Sequence, residues 1–164
     1  MHKKIIAQPL TKEAFAPFGD VFEPTGTPDK IINGGGCKRF HNQAKIDIAD
    51  NDFGISLFDS KTYSMPYLLG LMERHPLGSQ SFTPMSVGTF LVTVAEDADG
   101  IPVNLRSFYT APFQSINIHR NIWHGPLVPL SPEAVYVVMD YVGTRPNLEE
   151  YTFDTPYQIS LAHS

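Results

Sequence analysis

The sequence predicts an all-β domain, a sandwich or barrel of short strands with one short helical segment near its N-terminus. Three observations carry this expectation. Six segments show the period of two that puts alternate side chains on opposite faces of a strand: 53–59, 66–75, 88–96, 103–111, 114–119 and 134–142. Turn formers separate them at intervals of roughly 8–12 residues, the spacing of sandwiches and barrels. The composition agrees. Pro (14) and Gly (12) punctuate the chain too often for a helical bundle, while only 18% of residues are charged and 12% are aromatic, which excludes a disordered chain. At 164 residues the chain is read as one domain, 1–164, large enough to bury a core without disulfide or metal staples.

The elements follow in order. Residues 11–19, TKEAFAPFG, predict a helical turn: Thr11 is a candidate N-cap, Phe15 and Phe18 lie three apart, Pro17 keeps it short and Gly19 ends it. GDVFEP continues as a strand, and PTGTP (24–28) is a turn cluster. NGGGCKRFH (33–41) is a Gly-rich turn followed by Arg39 and His41 on one strand face. It fits neither glycine pattern of a phosphate-binding loop. After the six alternating segments, the polar tail beyond Gly143 is expected to pack as an extended arm.

Charge and cysteine content exclude several functions. A net charge of −5 disfavours nucleic acid as a partner, because phosphate binding needs a basic face. The single cysteine, Cys37, excludes an internal disulfide and a Cys-rich zinc module. No apolar stretch approaches the ~20 residues of a membrane span, and the N-terminal lysines precede no signal-peptide core. The expectation is a cytoplasmic protein with no membrane or nucleic-acid partner. Cys37 has no fixed local base, and Ser79 and Ser81 lack a nucleophile elbow, so hydrolase chemistry of those types is weakly supported.

Histidine is the informative count. Four of the six are internal: His41, His75, His119 and His124. Along 66–75, alternation places Glu73 and His75 on one face and Arg74 on the other, either at a barrel mouth or where the strand emerges into solvent. Along 114–119, Ser115, Asn117 and His119 share a polar face. The run 119–126, HRNIWHGP, joins two histidines to the only tryptophan. A left-handed Asn121 there would re-aim the chain and bring His124 to the cavity of His75; the alternative is a surface turn with Trp123 as a core plug. Asp140 interrupts a strand that is apolar on both faces, so it needs a partner, either an arginine or a group of the site.

These blocks resemble a known family. INGGGCKRFH (32–41), LMERHPLGSQSFTPM (71–85) and SINIHRNIWHGPL (115–127) look like the ureidoglycolate lyases, with further likeness in LTKEAFAPFGDVFE and near Asp140. The resemblance implies the cupin fold, a double-stranded β-helix or jelly-roll-like barrel. Glu73-Arg74-His75 then stands where the first cupin motif has H-x-H, Gln80 stands at its glutamate, and His124 is the histidine of the second motif. Two usual metal ligands, His75 and His124, are kept, and Glu73 and Gln80 replace the other two.

The resemblance further implies a divalent metal, usually nickel, on Glu73, His75, Gln80 and His124, and a homodimer. The implied reaction converts (S)-ureidoglycolate to glyoxylate and urea in allantoin and purine breakdown. His75, His124, Glu73 and His119 are its candidate acid–base groups. Arg39, His41, Arg74, Gln80, Ser81, Arg120 and Trp123 are its candidate substrate contacts, with Arg74 ranked low because of its parity. Two alternatives stay open: another metal-dependent cupin enzyme for a small hydroxy or keto acid, and a cupin that only binds a small ligand.

Overall fold

The computed structural model describes residues 2–132 and 134–162. The strands in chain order are β1 (Lys3–Pro9), β2 (Gly19–Phe22), β3 (Lys30–Ile32), β4 (Cys37–Arg39), β5 (Phe53–Ser60), β6 (Tyr67–Arg74), β7 (Gln80–Pro84), β8 (Phe90–Ala98), β9 (Ile101–Tyr109), β10 (Ser115–Ile118), β11 (Trp123–His124), β12 (Val128–Pro129), β13 (Ala134–Tyr141) and β14 (Glu149–Leu161). One helical turn, α1 (Lys12–Phe15), lies between β1 and β2.

Local chemistry explains several of these elements. The Thr11 hydroxyl accepts from the Ala14 N–H at 3.1 Å, satisfying a free donor of α1, and Phe15 is fully buried against Phe108. The β8–β9 hairpin turns on Asp99 (φ 52°) and Gly100 (φ 83°), the pair of left-handed residues that a tight hairpin requires. Gly19 lets β2 lie directly against β10, since a side chain there would run into the carbonyl of Asn117.

Two sheets build the molecule. The larger runs β11-β6-β14-β1-β9-β8-β12, and β11 also pairs with β8. Strands β11, β6, β14, β1, β9 and β8 therefore close into a barrel, in which each of the six has a paired neighbour on both sides. The second sheet runs β2-β10-β7-β13-β5 and packs against one wall of that barrel. The expected all-β, cupin-like fold is what the chain adopts. No helix among the described residues is long and apolar enough to cross a membrane.

Closure depends on the two ends of the chain. The tail expected as an extended arm is instead a 13-residue strand, β14, hydrogen-bonded between β6 and β1. β1 itself carries no clean alternation, and β14 departs from regularity where its register against β6 shifts between Thr152 and Tyr157. Leu69 and Met72, three residues apart on β6, both reach the barrel core, so the regular alternation expected over 66–75 slips beside that shift.

There are consequently two cores. Ala7, Leu69, Met72, Leu91, Trp123 and Ile159 fill the barrel. Phe82, Phe90, Val94, Ile116, Ile118 and Val138 fill the space between the barrel wall and the second sheet. The Gly-rich segment forms a separate two-stranded ribbon, β3–β4, that joins neither sheet.

Candidate active site and metal centre

The inter-sheet core ends in a polar cluster. On β8, Val94 points into that core, and His124 pairs directly with Val94 and with Glu73. Paired residues share a face, so His124 and Glu73 also point between the sheets, while Trp123 points into the barrel. Asn121 supplies the turn: its φ is +65°, and its N–H donates to the His75 carbonyl at 3.0 Å. The two imidazoles consequently meet with ring centroids 5.2 Å apart.

Glu73, His75 and His124 each offer a ligand atom, and these atoms lie within 4.8 Å of one another. Glu73 Oε1 is 3.6 Å from His124 Nε2 and 4.0 Å from His75 Nε2. Both distances exceed a hydrogen bond. The tautomers follow from the other ring nitrogens. His75 Nδ1 lies 2.7 Å from the Asn147 carbonyl and His124 Nδ1 lies 2.9 Å from the Ile122 carbonyl. A carbonyl only accepts, so each Nδ1 carries a proton, and in the neutral ring Nε2 is then the lone-pair nitrogen that faces the cluster.

Those two Nε2 atoms and Gln80 Oε1 are buried polar atoms with no hydrogen-bond partner among the described residues. Unpaired buried polar atoms are costly, and convergent lone pairs beside a carboxylate are the donor set of a divalent cation. Backbone carbonyls that fix the outer nitrogen are the usual support of metal-binding histidines. The residues fit a metal, with Glu73, His75 and His124 as the triad.

The electrostatics agree. His124 pulls the Glu73 carboxyl below the usual carboxylate range against the opposing effect of burial, and charge on His124 and His75 adds to that pull. Burial first, and then the neighbouring His124, push the His75 pKa down, a direction that favours the neutral ring a metal needs. Asp140 opposes that shift, so it acts electrostatically on His75.

The other sequence-predicted residues divide into two groups. Gln80 belongs with the cluster's surroundings: it shares a β7 face with Phe82, which is in the inter-sheet core, and it is only 6% exposed. His119 and Arg120 line a recess of about 210 Å³ with Lys45 and Asp47, and none of Glu73, His75 and His124 lines it. His119 Nε2 lies 3.3 Å from Asp20, and the Arg120 Nε–H donates to the Pro76 carbonyl, tying the recess to the turn after His75. Burial alone would raise the Asp20 pKa, but the Asn117 amide, the Lys45 N–H and His119 outweigh it and hold the carboxyl low.

The second group is engaged elsewhere. Arg74 points to the barrel side, as parity required. It donates to Glu149 at 2.7 Å and Asp97 at 2.9 Å and lies 4.5 Å over the Trp123 ring. Trp123 is a core plug whose Nε1–H donates to Asp97 at 2.8 Å. Ser81 is buried on the β7 face opposite Gln80. Arg39 donates to His41 Nδ1 at 2.9 Å on the exposed ribbon. Asp140 takes no arginine: it accepts from Gln80 Nε2 at 3.0 Å.

Asn147, like Asp20 and Lys45, is a residue that sequence reasoning missed. Its carbonyl locks His75 and its side chain accepts the Leu77 N–H at 2.7 Å. It lies 72 residues from His75, so no local pattern signals it.

Fold and site together define a cupin-type β-barrel with a candidate metal centre between its sheets. Residues 2–160 match the family model described as ureidoglycolate lyase. A relative from Rhodobacter capsulatus named ureidoglycolate lyase is 50% identical over 94% of this chain and 96% of its own length. One from Chelativorans sp. with the same name is 44% identical over 97% and 98%, and one from Brucella anthropi 42% over 97% and 96%. The chain belongs to the ureidoglycolate lyase family.

Proposed function

We propose that the protein is a ureidoglycolate lyase, which releases urea from (S)-ureidoglycolate and leaves glyoxylate, within allantoin and purine breakdown. Family membership supports the reading. The observation that carries it at the level of chemistry is the convergence of Glu73 with two buried, unpartnered imidazole Nε2 atoms.

The substrate is a carbinolamide. Its hydroxyl loses a proton, the C–O bond becomes a carbonyl, the C–N bond breaks, and the departing urea nitrogen gains a proton; no water is consumed. Glu73, His75, Gln80 and His124 would hold a divalent cation, with nickel as the proposed ion. When bound, that cation supplies positive charge that favours loss of the hydroxyl proton. His119, oriented by the Asp20 carboxylate at 3.3 Å, is the proton-transfer group outside the ligand set. Arg120 and Lys45, on the rim of the same recess, hold the substrate carboxylate. Val94, Phe82 and Ile118 give the cluster an apolar floor in the inter-sheet core.

The assembly is proposed to be a cytoplasmic homodimer. Support comes from the outer face of the second sheet. Its edge strand β5 exposes Ile55 (67%) and Leu57 (66%), which pair with the outward-facing Met139 and Val137 of β13. An exposed apolar edge of this kind is a liability unless another surface covers it. Light scattering of the parent and of Leu57→Glu tests the dimer: a monomeric parent overturns it. Assays for urea and glyoxylate on purified protein, with and without added nickel, test the reaction. Release of both products supports it, and no urea under either condition overturns it.

A further inference from the structure

We propose that Asp140 is a positioning residue for the candidate metal centre: its carboxylate decides which end of the Gln80 amide faces Glu73, His75 and His124. The inference rests on the metal reading given above and adds a residue that acts through another rather than on the ion.

The geometry comes from both sheets. On β13, Tyr136 and Val138 point into the inter-sheet core, so alternation turns Asp140 the same way. On β7, Phe82 points into that core, and so does Gln80. In register, Val138 lies opposite Phe82 and Met139 opposite Ser81, which sets Asp140 across from Gln80. The result is the 3.0 Å hydrogen bond from Gln80 Nε2 to Asp140 Oδ2.

A primary amide has two ends of nearly equal size, one that donates and one that accepts. Bulk does not choose between them; hydrogen bonding does. A carboxylate only accepts, so Asp140 must face the NH2 end. The carbonyl end is then turned away from it, and Gln80 Oε1 is the buried acceptor without a partner among the described residues. With the opposite rotamer the NH2 group would face the cluster and repel a cation. Gln80 thus has the same kind of outer support as the two histidines, whose Nδ1 protons are held by the Asn147 and Ile122 carbonyls.

The test is calorimetric titration of Ni²⁺ into chelator-treated, full-length protein, with thermal unfolding of each variant alongside. Asp140→Asn offers Gln80 either a donor or an acceptor, so the amide loses its fixed sense. The expected result is a nickel Kd raised about 10- to 100-fold, the usual effect of losing an outer-shell partner, while Tm stays near the parent's. In a Gln80→Leu background the same Asp140→Asn change should leave the Kd unmoved, because the group it positions is gone. An unchanged Kd in Asp140→Asn overturns the proposal. So does an equal loss in both backgrounds, which would mean that Asp140 acts only through its charge on His75. A parent that binds no Ni²⁺, Mn²⁺ or Zn²⁺ fails the metal reading itself, and that outcome is read from the parent titration alone.

Discussion

The barrel wall formed by β6, β8 and β11 has two faces that use the same kind of core for different ends. Toward the barrel interior, Leu69, Met72, Leu91 and Trp123 make a dry core, and the one polar atom of Trp123 is satisfied by Asp97. Toward the second sheet, Val92 and Val94 begin an equally dry core, but it ends at Glu73, His75 and His124, and the two imidazole Nε2 atoms have no hydrogen-bond partner among the described residues. Residues next to each other in sequence serve opposite faces: Trp123 and His124, Arg74 and Glu73. The lesson is that the barrel side is stabilised by packing and satisfied polar groups, whereas the inter-sheet side keeps costly unsatisfied atoms where chemistry can use them.

Four substitutions sharpen or break that division. The largest effect is expected at His124→Ala. It removes a ligand atom from the inter-sheet side, so turnover should fall by about 10²- to 10⁴-fold while the circular dichroism spectrum stays that of the folded barrel. Turnover at the parent rate would remove His124 from the site.

Next comes Ile159→Ala on β14, whose side chain is fully buried in the barrel. Urea unfolding should show a loss of about 2–5 kcal/mol, with kcat per folded molecule unchanged. A matching fall in kcat would mean that the two faces are coupled. A smaller effect is expected for Arg74→Gln, which breaks the bonds to Asp97 and Glu149 over Trp123. Its cost should be about 1–2 kcal/mol in stability, and KM should not move. A large rise in KM would place Arg74 on the substrate after all.

The smallest effect is a pH dependence. The folded pKa of Asp20 lies below its unfolded value, so the stabilisation it brings is present above the unfolded value of about 4 and is lost as pH falls through the folded one. Calorimetric Tm measured on acidification should therefore drop more steeply for the parent than for Asp20→Asn. Parallel curves would show that the Asn117, Lys45 and His119 contacts contribute nothing through ionisation.

Sequence by itself determined what depends on short-range geometry. The period of two marks the strands, Thr11 caps the helical turn, Asp99-Gly100 makes a hairpin, and Asn121 takes the left-handed turn that returns His124 toward His75. Parity alone sent Arg74 to the face opposite Glu73. These features arise from sterics and hydrogen bonds within a few residues.

Tertiary structure decided what depends on pairing between distant segments. β1 and β14 close the barrel as parallel partners more than 150 residues apart, without the alternation that would announce them. Asn147 locks His75 from the far end of the chain, and Asp140 takes Gln80 rather than an arginine. A strand's face can be read from its own residues, but its neighbours cannot. Strand pairing is chosen by global packing and main-chain hydrogen bonds that every sequence can make.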